Sequence, residues 1–399
     1  MPLSEDDEDD ADPWLRPVWE DDSDETAAAE YAAPALSHRP WAPLAARPVG
    51  ATDNLLLAPL AAAQDALARL DARAEAAPAA VCAGLIARLA WREAAGWLAA
   101  CHAWVHPADL ALRDLSLTGR FDTAGQLDRA RASLPATLAT GAAGPWSDPT
   151  HLAALAGGEQ AVTRALALAR RLRALPRRHD PLADVASATT WLAPLGAGNL
   201  DPQRFTTWRQ GLAVRSAGRG RGRDPRLPPL LRAAAAAGGW MEAGIVDRPD
   251  PLPALAIAAL LLARPDGLRV VPLPFWAAWP NLGHGEAATL PRLRGDGAAS
   301  WMVVFLTLAA EAACAGAREL DRVQAAAAAG TRLIADRDRR SRLPAALEAV
   351  LAVPALTPKA LAEQLAISQQ AATRLLVTLA DAGVIREMTG RKSFRAFAT

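Results

Sequence analysis

An all-α chain ending in a winged helix-turn-helix with a small β-hairpin is predicted by three observations. Apolar residues recur three and four apart from about Arg39 to Arg340, the period of a helix that buries one face. Prolines and Asp/Gly clusters punctuate these segments, and no β-branched alternating run lies among them. At the C-terminus two short capped segments precede an alternating basic stretch, "GVIREMTGRKSFRAFAT" (Gly383–Thr399), whose Thr-Gly-Arg-Lys is a turn signal.

At 399 residues the chain exceeds one ordinary core. The pattern divides it into a tail at 1–38, a helical domain at 39–340 and a module at 341–399. Net charge is zero, yet residues 1–30 carry thirteen carboxylates and one cation, Arg16, so that segment is −12 and the remainder +12. The tail is expected to be disordered and solubilising. Its island "DPWLRPVWE" places Trp14, Leu15, Val18 and Trp19 at helical spacing, which makes it a candidate arm for a protein partner or for folding back on its own protein. An acidic tail on a basic body also fits a nucleic-acid-binding body. Three cysteines, Cys82, Cys101 and Cys314, form no C-x-x-C pair, which reads as a reduced, cytoplasmic protein. The longest apolar stretch noted, Pro251–Ala263, has 13 residues, too short to span a bilayer, so no membrane is expected.

The helical domain is read from "NLLLAPLAAAQDALARLDARA" and "AAVCAGLIARLAWREAAGWLAACHAWV", then "GEQAVTRALALARRLRAL" and "PPLLRAAAAAGGW". The apolar Pro251–Ala263 run, "SWMVVFLTLAAEAACAGA" and "ELDRVQAAAAAGTRLIADRD" complete it. Trp91, Trp97 and Trp104 are expected in its core. One loop, Arg215–Pro229, carries Arg215, Arg219, Arg221, Arg223 and Arg226 among glycines. It reads as a solvated connector, with nucleic-acid contact as the alternative.

In the C-terminal module Ser341 is placed to cap a helix running to about Ala352, and Pro354 ends it. Thr357 caps a second helix with Pro358 at its first position, where a missing N–H costs nothing. Leu361 and Leu365 share a face, and a break falls at Ala366-Ile367. Ser368 caps a third helix that turns Ala372, Leu375, Leu376 and Leu379 inward, and Gly383 closes it. Two helices joined by such a break make a helix-turn-helix, and Val384–Met388 with Ser393–Phe397 supply a wing. Ala366 stands where glycine is common; a left-handed turn there would be strained, and other turn geometries avoid the strain.

Physical chemistry assigns roles on double-stranded DNA. The start of the third helix would enter the major groove, presenting Gln369, Gln370, Thr373 and Arg374. Glutamine pairs bidentately with adenine and arginine with guanine. Ser368 and the helix N-terminus suit a phosphate. Lys359 and the wing residues Arg386, Arg391, Lys392 and Arg395 suit phosphates or the minor groove. Residues 354–399 are net +3, a modest charge, and a protein-interaction role for the module stays open beside the DNA role. A homodimer fits how winged helices usually read DNA, although no heptad or self-pairing helix is visible.

Cys101, His102 and His106 form a C-H-x-x-x-H group on a predicted helix, but no second cluster completes a metal site. A structural or surface role is expected, and neither a metal nor a cofactor is called for. "PNLGHGEAA" around His284 reads as a turn, since it lacks a phosphate-loop lysine. No nucleophile with a nearby base is recognisable.

The ending "LAEQLAISQQAATRLLVTLADAGVIREMTGRKSFRAF" resembles the winged helix at the C-terminus of many Fic-family proteins. Ala66–Asp71, Arg92–Asp114, "IAALLLARPDGLRVVPL" and "WMVVFLTLAAEAACAGA" are similar to helices of that family. "REA…DLALRD", Thr123–Ala130 and "IREMTGRKSFRAF" resemble an uncharacterised bacterial family that joins a Fic-related helical domain to a DNA-binding helix-turn-helix. The resemblance spans roughly residues 40–399. Fic enzymes transfer AMP with a loop of the pattern HPFxxGNGRxxR. The corresponding stretch here, about Gly244–Leu260, has no His, no Asn and no paired glycine. The family's inhibitory Ser/Thr-x-x-x-Glu pattern is missing from "AGWLAACHAW" as well. The resemblance therefore implies a Fic-like helical scaffold with a DNA-binding module and no enzyme activity: a transcriptional regulator. A divergent nucleotidyl-transferring enzyme and a non-enzymatic adaptor are the alternatives.

Overall fold

The computed structural model describes residues 52–100, 105–114, 158–176, 179–217, 227–247, 250–264, 267–268, 272–279, 297–335, 341–388 and 395–398. The expectations for the acidic tail, for Cys101, His102 and Trp104, for the Thr123–Ala130 segment, for the arginines at 219–226 and for His284 lie outside the described residues. From Thr52 onward the chain forms one compact unit.

Its body contains α1 (Thr52–Glu75), α2 (Ala79–Ala100), α3 (Pro107–Asp114), α4 (Gly158–Arg173), α5 (Val185–Leu192) and α6 (Pro202–Ala217). It continues with α7 (Pro229–Ala243), α8 (Pro251–Leu262), the single-turn α9 (Phe275–Ala278) and α10 (Gly297–Ala335). Then come α11 (Leu343–Ala352), α12 (Pro358–Leu365), α13 (Gln369–Asp381), β1 (Arg386–Glu387) and β2 (Phe397–Ala398). The architecture is all-α with a two-stranded hairpin at the C-terminal end.

Helix α10 is the spine. At 39 residues it is about 58 Å long at 1.5 Å per residue, and it packs on α1, α2, α7, α9 and α11. Small residues set the approach. A Cβ added at Gly316 would lie 2.7 Å from Leu70 Cδ2 of α1. In α7, Ala233–Ala237 are all buried, and two indoles anchor to that helix's backbone: Trp208 Nε1 donates to Ala236 O at 3.2 Å and Trp301 Nε1 to Ala234 O at 2.8 Å. Trp91 and Trp97 are core residues, as expected.

The length and composition of α10 would allow it to cross a bilayer, although the Pro251–Ala263 run does not. The helix nevertheless packs against five neighbours and holds the buried carboxylate Glu319, as the core helix of a folded body does.

Helix α8 is apolar all round and buried almost throughout, which places it at the centre of the body. Asp250 caps it by accepting from Leu252 N–H at 2.9 Å and is itself paired with Arg164 of α4. Arg164 also donates to Leu195 O from Nε, at 3.1 Å, and lies 5.1 Å from the Trp97 ring centroid. This buried cation is thus satisfied on three sides, the condition under which a charge can be tolerated in a core.

Glu93 of α2 is buried too, and its Oε2 accepts from Ala277 N–H of α9 at 3.1 Å. Burial raises its pKa to about 8, against the opposing effect of hydrogen bonds from the α9 backbone. His106 stands immediately before Pro107 and α3, its Nδ1 accepting from Ala108 N–H at 3.2 Å. The residue before a proline is driven out of the helical region.

Candidate nucleic-acid interface

Two of the module's helices begin where their caps predict; the first begins one residue later, at Leu343, with Arg342 rather than Ser341 in the cap position. Ser341 Oγ accepts from Leu343 N–H at 3.2 Å, Thr357 Oγ1 from Ala360 N–H at 3.1 Å, and Ser368 Oγ from Ala371 N–H at 3.2 Å. Pro358 takes the first position of α12. Between α12 and α13 the chain reverses at Ala366, which adopts φ 52° and ψ 48°, and Ile367 N–H reaches back to Ala362 O at 3.0 Å. Ala366 is the non-glycine residue with positive φ among the described residues. Helix α13 seats Ala372, Leu376 and Leu379 in the core, with Leu375 partly buried. Its C-terminus closes with Gly383 at φ 68°, Gly383 N–H bonding Ala380 O at 2.9 Å and Val384 N–H bonding Leu379 O at 3.0 Å. These two bonds satisfy carbonyls that a helix end otherwise leaves open.

The wing is shorter than the sequence pattern indicates. Arg386 pairs with Ala398 and Glu387 with Phe397, antiparallel, and Met388 N–H adds a bond to Ala396 O at 2.8 Å. Val384 and Ile385 precede the strand because they turn into the core straight after the glycine. A third extended segment, unanticipated from the sequence, joins the hairpin: Leu356 forms an antiparallel bridge with Phe397. One residue of pairing leaves no period-2 signature, so "VPALTP" gives no strand signal.

Against this frame the predicted DNA-contacting residues separate into groups. Gln369, Gln370 and Arg374 are exposed on the outer face of α13. Thr373 is half-buried, its hydroxyl donating to Gln369 O at 2.8 Å. Ser368 is exposed at the helix start, where its oxygen serves as the cap. Lys359 and Arg386 are exposed, and with Arg374 they make no ion pair among the described residues. Arg395 is occupied within the wing. It pairs with Glu387 and lies 5.2 Å from the Phe397 ring centroid, and the hydrogen bond to Glu387 holds its pKa above the ordinary arginine value. Arg391 and Lys392, at the predicted wing tip, lie outside the described residues.

This arrangement can present one polar helix face to a groove, and it leaves Lys359 and Arg386 exposed as cations for a phosphate backbone. Elsewhere, among the described residues, no three His, Cys, Asp or Glu side chains converge on a metal-sized site.

Residues 343–398 match the family model of a helix-turn-helix DNA-binding domain. The chain is also similar to the uncharacterized protein y4cF of Sinorhizobium fredii (strain NBRC 101917 / NGR234), 30% identical over 171 residues. That match covers 43% of this chain and 42% of the relative's length. By the Thr357 and Ser368 caps, the turn at Ala366 and the family model, residues 343–398 form a helix-turn-helix similar to DNA-binding domains.

Proposed function

We propose that the chain is a DNA-binding transcriptional regulator. In this reading its winged helix-turn-helix holds duplex DNA, and its helical body is Fic-like in descent and without nucleotidyl-transfer chemistry. The observation that carries the reading is the outer face of α13. Gln369, Gln370 and Arg374 are exposed together, on a helix whose two ends and inner face are held by specific contacts. A reading helix needs that rigidity, because base contacts discriminate only when the side chains arrive in register.

The lack of enzyme activity is supported by the segment that the Fic resemblance aligns with the catalytic loop. Much of it here is α8, an apolar helix inside the core, with no general base and no backbone nest for phosphates. Under this proposal the Arg-Gly connector and the acidic tail modulate affinity, and a homodimer would read two half-sites.

Fluorescence anisotropy on duplexes across a salt series tests the proposal. Binding should weaken steeply with salt. Arg391→Ala with Lys392→Ala should flatten the log K against log salt slope by up to about 2. Failure to bind any duplex at low salt would overturn the proposal.

A further inference from the structure

Helix α11 belongs to two structures at once. It opens the helix-turn-helix module and packs on α12 and α13, yet it also packs on α2 and α10 of the body. Its buried residues, Leu343, Ala346, Leu347, Ala349, Val350 and Leu351, take up more than half of its circumference, as they must on a helix covered from more than one side. The approach to the body is close. A Cβ at Gly84 of α2 would fall 1.8 Å from Leu351 O, and one at Gly330 of α10 would fall 2.3 Å from Leu347 Cδ1.

One turn along α2 from Gly84 stands Arg88. Its Nη1 donates to Leu351 O and its Nη2 to Val353 O, both at 3.0 Å. Leu351 lies in the last turn of α11, whose carbonyls have no partner within the helix. Val353 begins the connector to Leu356, which pairs with the wing, and to Thr357, which caps α12. Arg88 therefore caps α11 from the body and grips the start of the segment from which α12, α13 and the wing depart. The arginine is itself held. Glu319 of α10 lies 3.8 Å from Arg88 Nε, 3.1 Å from Arg92 Nε and 3.1 Å from Arg322 Nη1. The side chains of Arg88 and Glu319 are only 5% and 10% exposed.

From this geometry we infer that Arg88 is a positioning residue for DNA binding: it fixes the orientation in which the body presents the recognition helix and wing. The guanidinium presents its donors in a fixed planar fork, so Nη1 and Nη2 meet the two carbonyls while Nε faces the carboxylate, a geometry the single ammonium of lysine does not reproduce. The functional consequence rests on the DNA-binding reading above, whereas the mechanical coupling does not.

The test uses the full chain with Arg88→Met and Arg88→Lys. Arg88→Met leaves Glu319 paired with Arg92 and Arg322, so no buried charge is orphaned. In hydrogen exchange, amides at 353–368 should exchange at least about tenfold faster in Arg88→Met, with α1 and the first half of α10 unchanged. Arg88→Lys, which restores the charge but cannot hold both carbonyls, should lie in between. On a fluorescein-labelled mixed-sequence duplex, Arg88→Met should bind about tenfold more weakly at every salt concentration. Its log K against log salt line should stay parallel to that of the wild type, because a conformational penalty removes no phosphate contact.

Wild-type exchange at 353–368 in Arg88→Met overturns the coupling. Faster exchange with undiminished DNA affinity overturns the positioning role. A wild-type chain that binds no duplex defeats the DNA reading and leaves exchange to decide the coupling. Should Arg88→Met unfold throughout, Arg88→Lys decides: faster exchange confined to 353–368 supports the inference, and a wild-type pattern there overturns it.

Discussion

Leu356 and Phe397 exchange both backbone hydrogen bonds, Leu356 N–H to Phe397 O at 2.8 Å and the return bond at 2.9 Å. This pair fastens the wing to the segment that enters α12. Phe397 is fully buried, and Arg395 stacks on it. Phe397→Ala should cost about 3–5 kcal/mol in urea unfolding of the full chain, with the loss of protection centred on 354–358 and 386–398. A cost below about 1 kcal/mol would mean that the wing is not built on this ring.

Ala366 occupies the left-handed region that the turn of the helix-turn-helix demands. An L-residue pays about 1–2 kcal/mol there, and glycine pays almost nothing. Ala366→Gly should therefore stabilise the chain, by about 1 kcal/mol after the extra freedom of glycine in the unfolded state is subtracted. Denaturation midpoints check this, and a lowered midpoint would contradict the strained geometry.

Glu93 links stability to pH. Its pKa is raised from 4.5 to about 8 by burial, so the folded chain holds this proton more tightly than the unfolded chain does. Its contribution is complete below about pH 4.5 and is lost as pH rises through about 8. Thermal midpoints should fall over that interval, and Glu93→Gln, permanently neutral, should flatten the fall. An unchanged slope in the variant would show that other groups carry the pH dependence.

Asp250 neutralises Arg164 in the core and caps α8. Asp250→Ala leaves a buried guanidinium without its carboxylate and should cost about 3–5 kcal/mol. Calorimetry or urea unfolding measures it, and an effect under about 1 kcal/mol would mean that Leu195 O and the Trp97 face suffice for Arg164.

Arg386 and Arg395 should behave differently although both lie in the wing. Arg386 is exposed, so Arg386→Ala should reduce the salt slope of DNA binding by about 1 without changing stability. Arg395 is paired with Glu387, so Arg395→Ala should act mainly by loosening the wing. Equal effects of the two variants on the slope would contradict this division.

Local rules carried the sequence a long way in the module. Thr357, Ser368 and Gly383 mark helix ends through bonds that span only a few residues, and Pro358 through its fixed backbone angle, so their roles are readable one after another. Most of the long helices of the body announced themselves by period. Helices α5 and α6 did not. Their apolar pattern is weak, and their signals are caps: Asp184 caps α5 by accepting from Ser187 N–H at 2.9 Å, and Asp201, before Pro202, caps α6 by accepting from Arg204 N–H at 3.0 Å. Single-turn α9 is shorter than any period and exists because Glu93 and Gly96, far away in sequence, receive it.

The amino-acid sequence by itself determined the helical class, the Thr357 and Ser368 caps, the break at Ala366 and the outward placing of Gln369, Gln370 and Arg374, because each follows from periodicity or from a bond to a near neighbour. Only the tertiary structure decided that Leu356 joins the wing, that Arg395 is occupied by Glu387, and that Arg88 holds the end of α11. Those contacts close over eight to more than two hundred residues, and no local pattern encodes which distant carbonyl or carboxylate a given arginine will meet.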